Sequence, residues 1–267
     1  MLGDSYCAPP SVVAETAPVD SLPAPTRSRE EQLAALLGLH AAYRSVVSNG
    51  AAMTEPAQRL QVLERLEVAR LAIAATTAEL DCESERLRQA ADSLTRKQGR
   101  MVQGLTVGSI AIAAIAGVTS VLLSTGNARA ATQNVVGVSG SVLTTGLGLS
   151  TFFANPTVHL THQRNLLADI WNGPSVSPSY PPLVWAYLSL PVFSNAQDEA
   201  IRVRMVARFR RLSQLERDPA AESRFFGAGG DYDIDSLHTH AALLDHVKAE
   251  VDLENQELRT LAARLFP

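Results

Sequence analysis

Apolar positions recur along this chain at helical spacing over most of its length. Leu33, Leu36, Leu37, His40 and Tyr43 fall on one face of a helix predicted over Arg29–Val47. Ser28 precedes it as N-cap, with Glu31 three residues on completing a Ser-x-x-Glu capping box, and Asn49-Gly50 stops it. A second apolar stripe runs through Leu60, Leu63, Leu66, Leu71, Ile73, Leu80, Leu87, Ala91 and Leu94. It predicts one uninterrupted helix over Thr54–Gln98, with Thr54 as cap and Pro56 tolerated in the first turn. At about 1.5 Å per residue such a helix reaches roughly 65–70 Å. It needs partner helices along its length, as in a coiled coil or an elongated bundle.

The pattern then changes. Between Met101 and Ala154 the only charged residue is Arg129. Gly104–Ser124 and Val135–Ala154 are both uncharged and are joined by a short link, Thr125–Asn134, while Asn155-Pro156 closes the second. Each is close to the roughly 20 residues that cross a hydrocarbon core. The reading is a transmembrane helical hairpin, bordered by Arg96, Lys97 and Arg100 and turned at Arg129. Small residues recur four apart: Gly104 and Gly108, Ala113 and Gly117, Gly137 and Ser141, Gly140, Thr144 and Gly148, with Gly146 leading to Ser150. Small residues on one face let helix backbones approach closely, so this pattern predicts a glycine zipper and a homo-oligomer.

Beyond the hairpin, Asn165–Trp171 reads as a short helix, and the Pro-rich stretch Asn172–Pro182 as a loop. Leu183–Leu190 is an apolar run too short to span a bilayer. With Trp171 and Trp185 it is read either as an interfacial segment or as a packing cluster. Two further helices are predicted, a basic one over Asn195–Glu216 and a mostly acidic one over His238–Leu265, joined by a Gly-rich loop, Phe226–Asp235. Their opposite charge predicts that they pair as a hairpin open to protein partners. The fold class is therefore all-α. The expected organisation is a Pro/Ala-rich tether (1–28), a helical stalk (29–100), the hairpin (101–156), an interfacial segment (157–192) and a C-terminal helical hairpin (193–267).

Charge and composition narrow the function. The net charge is −4 and aromatic residues are 5% of the chain, so nucleic acid is not an expected partner. Mean hydropathy is +0.04, an average of polar ends around an apolar middle. Met1–Tyr6 has neither the basic start nor the apolar core of a signal peptide. Cys7 and Cys82 lack zinc spacing and leave three alternatives: free thiols, a disulfide that implies an oxidising compartment, or a lipid-modified Cys7. Asp231-x-Asp233-x-Asp235 resembles the start of a calcium loop but carries Ser236 and Ala242 where that loop needs Gly and Glu. Asp235 or Ser236 is instead expected to cap the last helix. His238, His240, Asp245 and His246 form only a loose cluster, and His159 with His162 reads as an interfacial pair, so neither is expected to hold a metal. No metal, cofactor or catalytic constellation is expected.

The leading expectation is a membrane-embedded structural subunit of a bacterial envelope assembly, in contact with the lipid bilayer and self-associating through the small-residue faces. A helical pore-forming or channel protein is the alternative, since the element order alone resembles helical pore-forming toxins. A helical scaffold with a sheltered hairpin is the third.

Overall fold

A computed structural model describes Cys7 and residues 28–49, 55–107, 155–196, 199–213, 215, 218 and 220–266, together with the backbone of 108–125. Among these residues the chain is mainly helical, with eight α-helices and one two-stranded sheet. It divides into two compact units, Met1–Arg88 with His159–Asp231 and Ser236–Pro267, and Gln89–Val158 with Tyr232–Asp235.

In the first unit, α1 (Arg29–Leu36) starts at Ser28, whose hydroxyl accepts the Glu31 amide at 3.2 Å. The predicted single helix is broken. Gly38 adopts φ +70°, a left-handed backbone that glycine takes without strain, and α2 (His40–Asn49) follows. Glu31 therefore reaches His40 Nε2 at 3.0 Å rather than closing the capping box.

The helix α3 (Pro56–Thr125) continues well past the predicted end at Gln98. On it Val62, Ala69, Ile73, Thr76, Leu80, Ser84 and Leu87 are buried, in a repeat of three and four residues. The last helix, α8 (Ile234–Leu265), carries the matching stripe, buried at His240, Leu244, Val247, Val251, Glu254, Leu258, Leu261 and Leu265. The two helices run antiparallel, because low numbers on α3 meet high numbers on α8. The Arg59 guanidinium lies 5.6 Å from the Phe266 ring centre, Lys248 bonds Asp81 at 2.6 Å, and Arg88 pairs with Asp245. Helix α1 leans on the same assembly through Arg29, which meets Glu257 at 3.2 Å and the Ser194 carbonyl at 2.9 Å.

The remaining elements are short. Strand β1 (Val158–Thr161) pairs with β2 (Gly229–Tyr232). Between them lie α4 (Leu166–Asn172), α5 (Pro182–Ser189), a single 3-10 turn (Pro191–Phe193), α6 (Ile201–Leu212) and α7 (Ala220–Phe226). Gly229 sits at φ +107°, and a Cβ there would stand 2.1 Å from the Leu160 carbonyl oxygen. The segment read as a loop, Phe226–Asp235, is thus a strand plus a helix start. Its glycine is required because the partner backbone passes too close for any side chain. Arg208 of α6 acts electrostatically on His246 of α8. Helix α6 packs on α4 and α5, and none of the ion pairs found joins it to α8.

The membrane expectation is corrected. Among the described residues no helix is long and apolar enough to cross a membrane, which counts against the embedded, transmembrane and pore-forming readings and against a place in an envelope membrane. The first apolar segment is no separate element but the extension of α3, whose described side chains before Gly108 include the charged Arg96, Lys97 and Arg100 and the polar Gln103 and Thr106, too polar a stretch to span. The second segment, Val135–Ala154, and the link with Arg129 lie outside the described residues, so the hairpin itself is not shown.

Candidate functional site

The residues singled out from the sequence scatter when placed. Arg96, Lys97 and Arg100 stand exposed on α3. Gly104 is exposed too, with no atom within 4 Å of the place a Cβ would take. Gly108, Ala113 and Gly117 belong to the α3 backbone, and nothing is described of their surroundings. Gly137, Gly140, Ser141, Thr144, Gly146 and Gly148 lie outside the described residues, as does Arg129.

The two tryptophans differ in burial: Trp185 is buried and Trp171 half-buried. Trp171 stacks on Phe226 with ring centres 4.2 Å apart, its Nε1–H donates to Glu222 at 3.1 Å, and the Arg210 guanidinium lies 5.1 Å from its ring centre. Trp185 is buried beside Tyr180 and donates its Nε1–H to the Pro174 carbonyl at 3.1 Å. Both polar tips find a hydrogen-bond partner within the chain.

Cys7 and Cys82 are joined in a disulfide with Cα atoms 5.7 Å apart. Of the three alternatives open to these cysteines, the structure carries this one. It fixes Cys7 to α3.

A buried polar group ties α3 to the short elements. Arg164 pairs with Glu79 on α3 at 3.4 Å and donates to the Ser179 carbonyl. The Asp169 carboxylate on α4 accepts from the Ser179 amide at 3.1 Å and from the Ser177 hydroxyl, and Tyr180 donates to the Leu166 carbonyl at 3.0 Å. Burial pushes the Glu79 carboxyl up, opposed by the Arg164 guanidinium and reinforced by Glu83. Burial pushes the Tyr180 hydroxyl well up, with Asp169 and Glu79 adding to it. On α8, His240 is fully enclosed, edge-on to His162 at 4.9 Å and to Phe225 at 5.8 Å. Burial drives its imidazole well below the usual histidine range, and the nearby His162 and Arg86 act in the same direction. These groups hold the fold together. Among the described residues no three potential ligands gather to hold a metal.

The surface offers two faces of distinct chemistry. One is the outer side of α3. Leu60 is 68% exposed, Leu63 52% and Leu71 53%, with Glu64, Glu67, Ala74 and Ala78 exposed among them. At 100° per residue this stripe lies about half a turn from the side that α8 covers. The other is α6, whose Arg204, Arg208 and Arg211 are exposed at helical spacing. Sequence reasoning merged Leu60, Leu63 and Leu71 with the buried positions of α3 in one drifting stripe. The drift was itself the signal that two opposite faces are present.

No family model, no curated protein and no solved structure matches the chain.

Proposed function

We propose that this protein is a structural helical scaffold, folded in an oxidising compartment, which self-associates through the outer side of α3. The carrying observation is the bare leucine row. Leu60, Leu63 and Leu71 stay in water although the opposite side of the same helix is fully covered. Isolated exposed leucines are ordinary, whereas a row in helical register is an unsatisfied packing face. The disulfide at Cys82 supports the compartment, and the paired helices α3 and α8 supply the rigid support that a docking face needs. Self-association was first suggested by the small-residue segments. The leucine row supports it independently of them.

Sedimentation velocity of the full chain across a range of concentrations tests the proposal. The expected result is an oligomer that dissociates on dilution and is monomeric in a Leu60→Glu, Leu71→Glu variant whose helical circular dichroism is unchanged. A chain monomeric throughout, or an oligomer indifferent to these substitutions, would overturn it.

A further inference from the structure

The chain itself carries a partner surface for that leucine row, a pairing that rests on the self-association just proposed. We propose that α6 of a second copy docks across the Leu60–Leu71 stretch of α3, its arginine row facing Glu64 and Glu67.

The charges complement each other. Arg204, Arg208 and Arg211 are separated by four and then three residues, so they share a narrow arc and span about 10 Å of helix axis. None of the three has an acidic partner among the described residues, in a chain whose net charge is −4. The α3 stretch is the converse. Glu64 and Glu67 are exposed between Leu60, Leu63 and Leu71, and the only base paired there is Arg70, which bonds Glu67 from the flank at 2.8 Å. Apolar character borders the row: the exposed Leu212 and the small, exposed Ala207 lie about 70° to either side of it. Lengths agree, since α6 and the Leu60–Leu71 stretch each cover about 18 Å of helix.

The surface that donates differs from the surface that receives, so the contact is head-to-tail. Such contacts generate rings when the rotation closes and filaments when it does not. Opposite charge across the contact would set the register and the salt dependence, while the leucines supply the apolar area. An acidic protein of another kind, or a polyanion, is the competing occupant of the arginine row. A second copy is favoured because this chain carries both halves of the match.

Two charge-reversed full-length chains test it by sedimentation velocity, each checked for native helical circular dichroism. One carries Arg204→Glu, Arg208→Glu and Arg211→Glu, the other Glu64→Lys and Glu67→Lys. Each alone should associate at least about tenfold more weakly than wild type, because like charges then face one another. An equimolar mixture should recover wild-type association, since each variant's altered face then meets its opposite. Rescue of this kind cannot come from misfolded chains. Wild-type association should also weaken as salt rises. If wild type associates and the arginine variant does so equally well, the α6 docking is wrong while self-association stands. If both variants fail alone and the mixture does not recover, the pairing of these two faces is wrong. A wild-type chain that is monomeric throughout removes both proposals.

Discussion

The two sides of α3 are built from similar residues and meet opposite fates. On the inner side Ile73, Leu80 and Leu87 are sealed by the rest of the fold, and on the outer side Leu60, Leu63 and Leu71 stand in water. The inner positions recur every three, four or seven residues, and α8 carries a buried stripe of threes and fours from His240 to Leu265. The outer leucines have no such counterpart within the described chain. A helix apolar on one side is completed by its own fold. One apolar on two opposite sides has a second side to cover, and that difference carries the functional reading.

The largest effect is expected on the inner side. Leu80 is fully buried, and Leu80→Ala removes its methyl groups from a packed interface and leaves a void. The expected loss is about 2–5 kcal/mol of unfolding free energy in a denaturant titration, the range for buried leucine truncations. A loss below about 1 kcal/mol would mean that α3 and α8 are not packed as described.

Acid probes the same interface with a smaller expected effect. His240 lies in the inner stripe of α8 and is held neutral by its enclosure beside His162 and Arg86. Its folded pKa is depressed, so below its ordinary value near 6.5 the unfolded chain takes up a proton that the folded chain refuses. Stability is therefore complete above that pH and falls as pH drops through it, by up to about 1.4 kcal/mol per pH unit for one proton. Less enclosed, His246 is also depressed and adds in the same direction. Glu79 is shifted upward, so its folded carboxyl protonates before the unfolded one and offsets part of the loss in more acid solution. The melting temperature should fall between pH 7 and pH 5.5, and His240→Gln should flatten that slope. An equal slope in wild type and variant would show that the imidazole is not enclosed.

Much of this architecture was legible in the sequence, and the misreadings have physical causes. The Ser28 cap, the N-terminal part of α3, the short helix after Asn165 and the final helix follow from local signals of capping and periodicity. The break at Gly38 was hidden because the apolar period runs on through Leu37 and Leu39, and only the backbone angle reveals the turn. The sheet was hidden because Val158–Thr161 and Gly229–Tyr232 are four residues each and depend on a pairing across most of a domain. Hydropathy alone assigned Gly104–Ser124 to a bilayer, although a continuous helix can carry an uncharged stretch without being a spanning element. For Trp171 and Trp185, composition could not supply their partners: Glu222, Phe226 and the Pro174 carbonyl are remote or lie in irregular backbone.

The smallest expected effect is on the outer side, and it sharpens the comparison most. Leu71 is as large as Leu80 and sits on the same helix, but its side chain is more than half exposed. Truncation to alanine removes little buried area and leaves no cavity, and alanine is the better helix former. At a concentration where the chain is monomeric, Leu71→Ala should change unfolding free energy by no more than about 0.5 kcal/mol, as surface substitutions do. The same substitution should weaken association at higher concentration. A leucine dispensable to the folded monomer but required by the assembly belongs to a surface between molecules. A large loss of monomer stability from Leu71→Ala would instead place that leucine inside the chain's own core, and the two sides of α3 would then be one.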